Sequence, residues 1–191
     1  MVNPFYGSMC EINHMLVAYP EISLFSHHKS LSRIMQQKIL HFLQQIGIPV
    51  IETELPDDCF LPGLAIEKNT ILMDPKRLKY PGDLLHEAGH LAVTEEKLRP
   101  LIGTAEMDPA WPTDGDELAA ILWSYAALRH LELEPEVVFH PEGYKNESGW
   151  LIEQFENKNY IGLPLLEWMG LCAASEKDGV LPFPQMLKWL R

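Results

Sequence analysis

Hydrophobic residues recur at steps of three and four positions early in the chain, and this spacing predicts an amphipathic helix over Leu31–Ile46. Ser30 is a candidate N-cap for this helix, because its hydroxyl can accept a free backbone N–H. Gly47 and Pro49 are expected to end it. The apolar stripe consists of Leu31, Ile34, Met35, Ile39, Phe42, Leu43 and Ile46.

Two short extended segments are predicted after this helix. Ile48–Glu52 has the length and composition of a short strand. Gly63–Asp74 has the pattern of a β-hairpin whose turn lies near Lys68-Asn69. We expect Asn69 to adopt the left-handed conformation that a tight turn needs.

The pattern after the hairpin favours helices. A second helix is expected to begin at Asp83, a candidate N-cap, and it carries the sequence His86-Glu87-Ala88-Gly89-His90. A loop over Arg99–Gly115 leads to a third, strongly apolar helix over Asp116–Leu131. Beyond it we expect a strand at Val137–His140 and helices at Gly149–Glu156, Pro164–Ala173 and Pro184–Leu190.

This order of elements is typical of the α+β class. We predict a single small domain over residues 1–191, with residues 31–131 as the part that carries the chemistry. In it, a short mixed or antiparallel sheet packs on the second and third helices. Residues 132–191 are predicted to form a helical C-terminal extension.

Composition and charge narrow the range of partners. A chain of 191 residues that is 47% hydrophobic and 22% charged can bury a core without disulfides, so it is not mainly disordered. The net charge of −12 excludes the basic surface expected of a nucleic-acid-binding protein, and it disfavours an anionic membrane surface. A partner of basic character would be steered favourably.

The chain also has features expected of a cytoplasmic protein. No apolar stretch is long enough to span a bilayer, and Met1–Pro20 lacks the basic start and apolar run of a signal peptide. The three cysteines, Cys10, Cys59 and Cys172, are scattered and form no CxxC pair. We expect them to be reduced thiols, mostly buried.

The most specific chemical signal is the sequence His86-Glu87-Ala88-Gly89-His90, an HExxH motif. Histidines four residues apart lie on the same face of a helix, so both imidazoles can reach one metal ion. Glu87 lies beside them and can accept a proton from a metal-activated water. The alternative is an exposed helix that carries two solvated histidines.

The helix around the motif has a composition suited to a buried metal site. Its apolar residues share one broad face, and the two histidines and Glu87 lie on the other. Gly89 weakens the helix by about 1 kcal/mol relative to alanine. We expect this glycine where another backbone or a substrate approaches closely. The apolar face consists of Leu84, Leu85, Ala88, Leu91 and Ala92.

A catalytic zinc site needs a third protein ligand, and Glu117 is the preferred candidate. It lies in the first turn of a helix that is apolar on nearly every side, where a metal ion would compensate its charge. Ala120 and Ser124 on the same face leave room for the histidine helix. The alternative is that Glu117 only interacts with the helix dipole. Asp116, Asp114 and Glu106 are weaker candidates.

The C-terminal part carries residues that could support the site. His140 and Tyr144 are candidate oxyanion stabilisers, since each carries a donor in a loop beyond the ligand-bearing helix. Either residue is also compatible with an ordinary loop position. Trp150, Trp168 and Trp189 are expected to pack in the core, with a groove for a peptide or a partner helix as the alternative.

These motifs together resemble the zincin metallopeptidases of the gluzincin type, and most closely the ImmA/IrrE family. The resemblance is carried by Gln45–Val50, Thr70–Asp74, Leu84–Leu91 and Asp116–Ala120, in that order. It implies that His86, His90 and Glu117 bind zinc and that Glu87 acts as the general base. It also implies that the substrates are repressors or other regulatory proteins.

We therefore predict a zinc-dependent hydrolase that cleaves a peptide or amide bond. Its substrate would be a peptide or protein, and the acidic surface would favour a substrate of basic character. One alternative is a zinc-binding protein of the same fold that has lost turnover and acts as an interaction module. Glu87 argues against that alternative, since a purely structural site needs no general base. The other alternative is a structural protein without metal.

Overall fold

A small mixed sheet and five α-helices form an α+β arrangement in the computed structural model, which describes residues 22–57, 59, 61–176 and 179–191. Side chains are described from residue 32 onward. The helices are α1 (Ile22–Gln45), α2 (Asp83–Val93), α3 (Asp114–His130), α4 (Ser148–Glu156) and α5 (Leu163–Trp168). The strands are β1 (Val50–Glu52), β2 (Leu64–Glu67) and β3 (Thr70–Met73).

Helix α1 is longer at its start than its apolar pattern predicts. Because it begins at Ile22, Ser30 lies inside the helix, and its predicted role as N-cap is wrong. Ile39, Phe42 and Leu43 are buried as the periodicity predicts, whereas the side chain of Ile34 is 58% exposed. The helix ends before Gly47, whose φ of 83° is a conformation that glycine adopts readily.

The sheet has the strand order β1-β3-β2. β1 runs parallel to β3, and β2 runs antiparallel to it, so the predicted mixed sheet and hairpin are confirmed. Within the turn, Lys68 has the positive φ, 58°, so the prediction that Asn69 adopts this conformation is wrong. The positive φ therefore falls on the first residue of the two-residue connection between Glu67 and Thr70, and not on the second.

Helices α2 and α3 pack closely where Gly89 faces Ala120. A Cβ atom at Gly89 would lie 2.8 Å from the Ala120 carbonyl oxygen. The predicted close approach of another backbone is therefore confirmed. Gly82 has a similar role at the start of α2, because a Cβ atom there would lie 1.8 Å from the Val137 carbonyl oxygen. These two contacts fix α2 against α3 and against the loop that follows α3.

The chain beyond α3 differs most from the sequence prediction. The expected strand at Val137–His140 is absent; a 3-10 helix covers Pro135–Val137, and Val138 and Phe139 are buried. The expected helix at Pro184–Leu190 is absent as well. Met186 instead pairs with Cys172, and the Leu187 N–H donates to the Leu171 carbonyl, so this backbone is bonded to another segment.

The C-terminal helices are close to the prediction for α4 but not for α5. α4 covers Ser148–Glu156, against the predicted Gly149–Glu156, while α5 ends at Trp168 rather than Ala173. Gly170 follows α5 with a φ of 68°. Buried residues from α1 to Phe183 form one continuous hydrophobic core.

The predicted burial of the C-terminal tryptophans is only partly confirmed. Trp189 packs against Phe42 and Trp123, with ring centroids 4.9 and 5.5 Å apart. Trp150 and Trp168 are 47% and 72% exposed, so the expectation of core packing is wrong for these two.

Of the cysteines, Cys172 is buried, Cys59 is half-buried, and neither forms a disulfide. Cys10 lies outside the described residues. None of the helices in the described part of the chain is long and apolar enough to cross a membrane.

Candidate metal centre

Helices α2 and α3 bring His86, His90 and Glu117 together. The two Nε2 atoms of the histidines are 3.2 Å apart. A Glu117 carboxylate oxygen lies 3.5 Å from His86 Nε2, and the other lies 3.3 Å from His90 Nε2. One ligand atom from each of these three residues lies within 4.8 Å of the other two, so the group could hold a metal ion.

The local structure of α2 presents the two histidines together. They are four residues apart on a helix whose apolar face is buried, so both rings lie on the remaining face. The end of the helix is fixed by Thr94, whose hydroxyl donates to the His90 carbonyl at 2.7 Å. Gly82 and Gly89 allow the close packing that holds the helix at this position.

The first turn of α3 positions Glu117, and it holds the side chain of the neighbouring candidate ligand, Asp116, in a capping box. Thr113 caps the helix, and its hydroxyl accepts the Asp116 N–H at 3.2 Å. The Asp116 carboxylate in turn accepts the Thr113 N–H at 3.0 Å, which completes a capping box. Asp114 and Glu106 are exposed. Among the described residues, only Glu117 joins the two histidines in a group of ligand-type atoms.

The group is enclosed on the histidine side and open on the glutamate side. The side chains of His86 and His90 are 15% and 7% exposed, whereas that of Glu117 is 43% exposed. Burial, together with the neighbouring His90, lowers the pKa of His86 to about 3, and burial lowers that of His90 to about 4. Both rings are therefore neutral at pH 7, the form that binds a metal.

Glu87 is a half-buried acid that follows His86 on α2. Burial, with the nearby Asp83 and Glu117 carboxylates, raises its pKa to about 8. Burial also raises the pKa of Glu117, although the positive charge of Lys145 acts in the opposite direction. A carboxyl group whose pKa lies near neutrality can both take up and release a proton at physiological pH.

His140 lies against the start of α2 and pairs with Asp83. Its Nε2 donates to the Asp83 carboxylate at 2.9 Å, and its ring stacks on Tyr80 with centroids 3.7 Å apart. Asp83 is therefore the first residue of α2 and not its N-cap, which is Gly82, so that prediction is wrong. The carboxylate bonds to a residue 57 positions later in the chain instead of to its own backbone.

Tyr144 lies next to the metal-binding group. Its hydroxyl oxygen is 3.5 Å from His86 Nδ1, and the two rings meet edge to face with centroids 5.7 Å apart. Burial raises the pKa of its phenol, so the hydroxyl stays neutral. The role of His140 and Tyr144 as oxyanion stabilisers remains a prediction. In the structure, the polar atom nearest the His140 Nε2 belongs to Asp83, and the Tyr144 hydroxyl faces His86.

The sequence reasoning missed Trp111. Its ring meets that of His90 with centroids 6.0 Å apart, and its Nε1 donates to the Thr94 hydroxyl at 3.1 Å. The hydroxyl of Thr94 donates to the His90 carbonyl, so the indole is tied to the same turn of α2. A tryptophan in a loop rich in Pro, Gly and Asp was the signal that could have drawn attention to it.

No family model, curated protein or solved structure matches the chain. The resemblance to the ImmA/IrrE metallopeptidases is therefore carried by the motif residues alone, and the functional assignment depends on the chemistry of the site.

Proposed function

We propose that this protein is a zinc-dependent hydrolase with a zincin-like fold of the gluzincin type, which cleaves a peptide or amide bond. The observation that carries the proposal is the grouping of His86, His90 and Glu117 near the half-buried acid Glu87, whose pKa is raised. A structural zinc site usually has four protein ligands, whereas a catalytic site has three and keeps one position open.

The distances within the group agree with the size of a zinc site. Zinc lies about 2.0–2.1 Å from nitrogen or oxygen ligands, and the corners of a tetrahedron of that size are ~3.3 Å apart. The two histidine Nε2 atoms are 3.2 Å apart, and each lies 3.3–3.5 Å from one oxygen of the Glu117 carboxylate, a different oxygen for each ring. Zinc also suits the donor set, since imidazole and carboxylate are both among its usual ligands.

The residues around the group have complementary tasks. Zinc, when bound, would polarise the scissile carbonyl and lower the pKa of a water molecule toward neutrality. Glu87 would take a proton from the attacking water and pass it to the leaving amine. Glu117, as the most exposed of the three ligands, would lie on the side from which the substrate enters. The buried histidines would exclude water from the opposite side.

The acidic chain favours substrates of basic character. The net charge of −12 would steer a basic peptide or protein toward the site. Regulatory proteins, the substrates implied by the resemblance to the ImmA/IrrE family, form one class to test. Neither nucleic acid nor a membrane is a proposed partner, and a cytoplasmic location is part of the proposal.

The first experiment is to measure zinc per chain in protein purified without added metal and without a histidine tag. We expect about one zinc per chain in the wild type, as a single three-ligand site requires. His90→Ala and Glu117→Ala should lose it. Asp114→Ala is the matched control, because it removes an exposed carboxylate from the same helical turn. Wild-type protein that binds no zinc even when zinc is added would refute the proposal.

The second experiment separates an enzyme from an inactive zinc-binding protein. Glu87→Gln should keep the zinc but lower peptide hydrolysis by about 10²–10⁴-fold, the contribution typical of a general base. Hydrolysis can be followed by mass spectrometry on a mixture of peptides with basic and acidic side chains. If the zinc-loaded wild type and Glu87→Gln are equally inactive on every peptide, the interaction-module alternative is favoured.

A further inference from the structure

The turn that carries Tyr144 has an unusual backbone. Tyr144, Lys145 and Asn146 have φ angles of 53°, 54° and 68°, so three consecutive residues other than glycine lie in the left-handed region. This conformation costs roughly 1–2 kcal/mol per residue for side chains with a Cβ atom. Such a turn persists only where surrounding contacts hold it, and strained turns cluster at functional sites.

The contacts that hold this turn come from its two ends. The Ser148 hydroxyl, buried at the start of α4, donates to the His140 carbonyl at 2.6 Å and to the Gly143 carbonyl at 3.3 Å. The Asn146 N–H donates to the Gly143 carbonyl at 3.1 Å. Gly143 packs against the buried ring of His140, where a Cβ atom would lie 3.1 Å from the nearest ring atom. The turn is therefore anchored to the His140–Asp83 pair.

The anchored turn brings the Tyr144 side chain to one particular nitrogen of the metal centre. The Tyr144 ring packs against the ring of Phe139, with centroids 5.1 Å apart, and against the ring of His86. The hydroxyl lies 3.5 Å from His86 Nδ1. His86 Nε2 faces His90 and Glu117, so Nδ1 is the nitrogen on the far side of the ring.

We propose that Tyr144 is a positioning residue whose hydroxyl oxygen accepts a hydrogen bond from His86 Nδ1–H and thereby leaves Nε2 free to bind the metal. The inference rests on the proposed metal site. A histidine ligand generally donates its second ring N–H to a nearby acceptor, and this partner fixes both the tautomer and the orientation of the ring. In the described part of the chain, the acceptor within reach of His86 Nδ1 is Tyr144. The hydroxyl would serve His86 in this role and not a substrate oxyanion.

The test is Tyr144→Phe, which removes the hydroxyl and keeps the ring contacts. Zinc affinity, measured by competition with a chelator, should weaken by about 10–100-fold, the loss typical when a ligand loses its hydrogen-bond partner. Tyr160→Phe is the matched control, because that ring packs against Phe183 away from the metal centre, and its affinity should equal that of the wild type. The melting temperature of the metal-free protein should not change in either variant.

A second readout distinguishes positioning from a general structural effect. In ¹⁵N-histidine spectra of the metal-free wild type, His86 should carry its proton on Nδ1, and in Tyr144→Phe the two tautomers should mix. Equal zinc affinity and the same tautomer in both proteins would overturn the inference while the metal site stands. If the wild type binds no zinc, the proposed function fails, and the tautomer comparison in the metal-free protein still decides whether Tyr144 fixes the ring.

Discussion

Replacing Gly89 by alanine sets two effects of opposite sign against each other. Alanine favours the helix by about 1 kcal/mol relative to glycine. The added Cβ atom, however, would lie 2.8 Å from the Ala120 carbonyl oxygen, whereas ordinary contact begins at 3.4 Å. The two helices would have to separate by about 0.6 Å, and overpacking of this kind costs about 1–3 kcal/mol. The steric effect is the larger one, so the net loss of stability should be about 0–2 kcal/mol.

The same displacement should affect metal binding more strongly than stability. His86 and His90 lie on α2 and Glu117 lies on α3, so separation of the helices moves the third ligand away from the other two. A movement of about 0.6 Å exceeds the ~0.2 Å tolerance of zinc–ligand distances. We expect zinc affinity in Gly89→Ala to fall by about tenfold or more.

The assay is a chelator competition for zinc, combined with thermal unfolding of the metal-free protein. For a chain of this length, 1 kcal/mol corresponds to about 2–4 °C in Tm. Gly149→Ala is the matched control, because Gly149 lies in α4 with no atom within 4 Å of the added Cβ. That variant should be stabilised by up to about 1 kcal/mol with unchanged zinc affinity. If Gly89→Ala behaves in the same way, the close packing of α2 on α3 does not limit the site.

Three further predictions test the surroundings of the site. Thr113→Ala removes the N-cap of α3 and should lower stability by about 0.5–2 kcal/mol in denaturant unfolding, with a weaker effect on zinc content. Acidification from pH 7 to 5 should weaken zinc binding by about tenfold or less. The pKa values of His86 and His90 are lowered to about 3 and about 4, so only Glu117, whose pKa is raised, begins to gain a proton. Histidines of ordinary pKa would lose ~10³-fold over this range, which a chelator titration at both pH values would reveal. Lys145→Gly relieves a φ of 54° and should raise the free energy of unfolding by up to about 1 kcal/mol, which a higher Tm would show; a fall in Tm would contradict the strain assigned to the turn.

Predictions from local pattern succeeded where the physical cause is itself local. The β2–β3 hairpin, the placement of both histidines on one face of α2 and the burial of α3 follow from side-chain periodicity over a few residues. The need for Gly89 could also be inferred, since a glycine inside a helix has a cost that close packing explains. The preference for Glu117 rests on its place in the first turn of an apolar helix, on the face that carries Ala120 and Ser124. The capping box, which engages Asp116, supplies the physical reason for that choice.

Predictions failed where a partner distant in the chain determines the outcome. Asp83 has the composition of an N-cap, but His140, 57 residues later, takes its carboxylate. The segment Pro184–Leu190 has a helical pattern, yet its backbone pairs with residues 171 and 172. Trp150 and Trp168 have the apolar character of core residues, but their side chains are 47% and 72% exposed.

The sequence by itself determined which groups could do the chemistry, because the HExxH spacing places two imidazoles and a carboxylate on one turn of helix. Only the tertiary structure decided how this turn is completed and supported. Glu117 reaches it from α3, Tyr144 from a left-handed turn and Trp111 from the loop before α3. These contacts join residues 21 to 58 positions apart, counted from His86 or His90. Side-chain periodicity over a few residues cannot encode contacts between residues so far apart in the chain. These contacts depend on how closely the helices and loops pack in space.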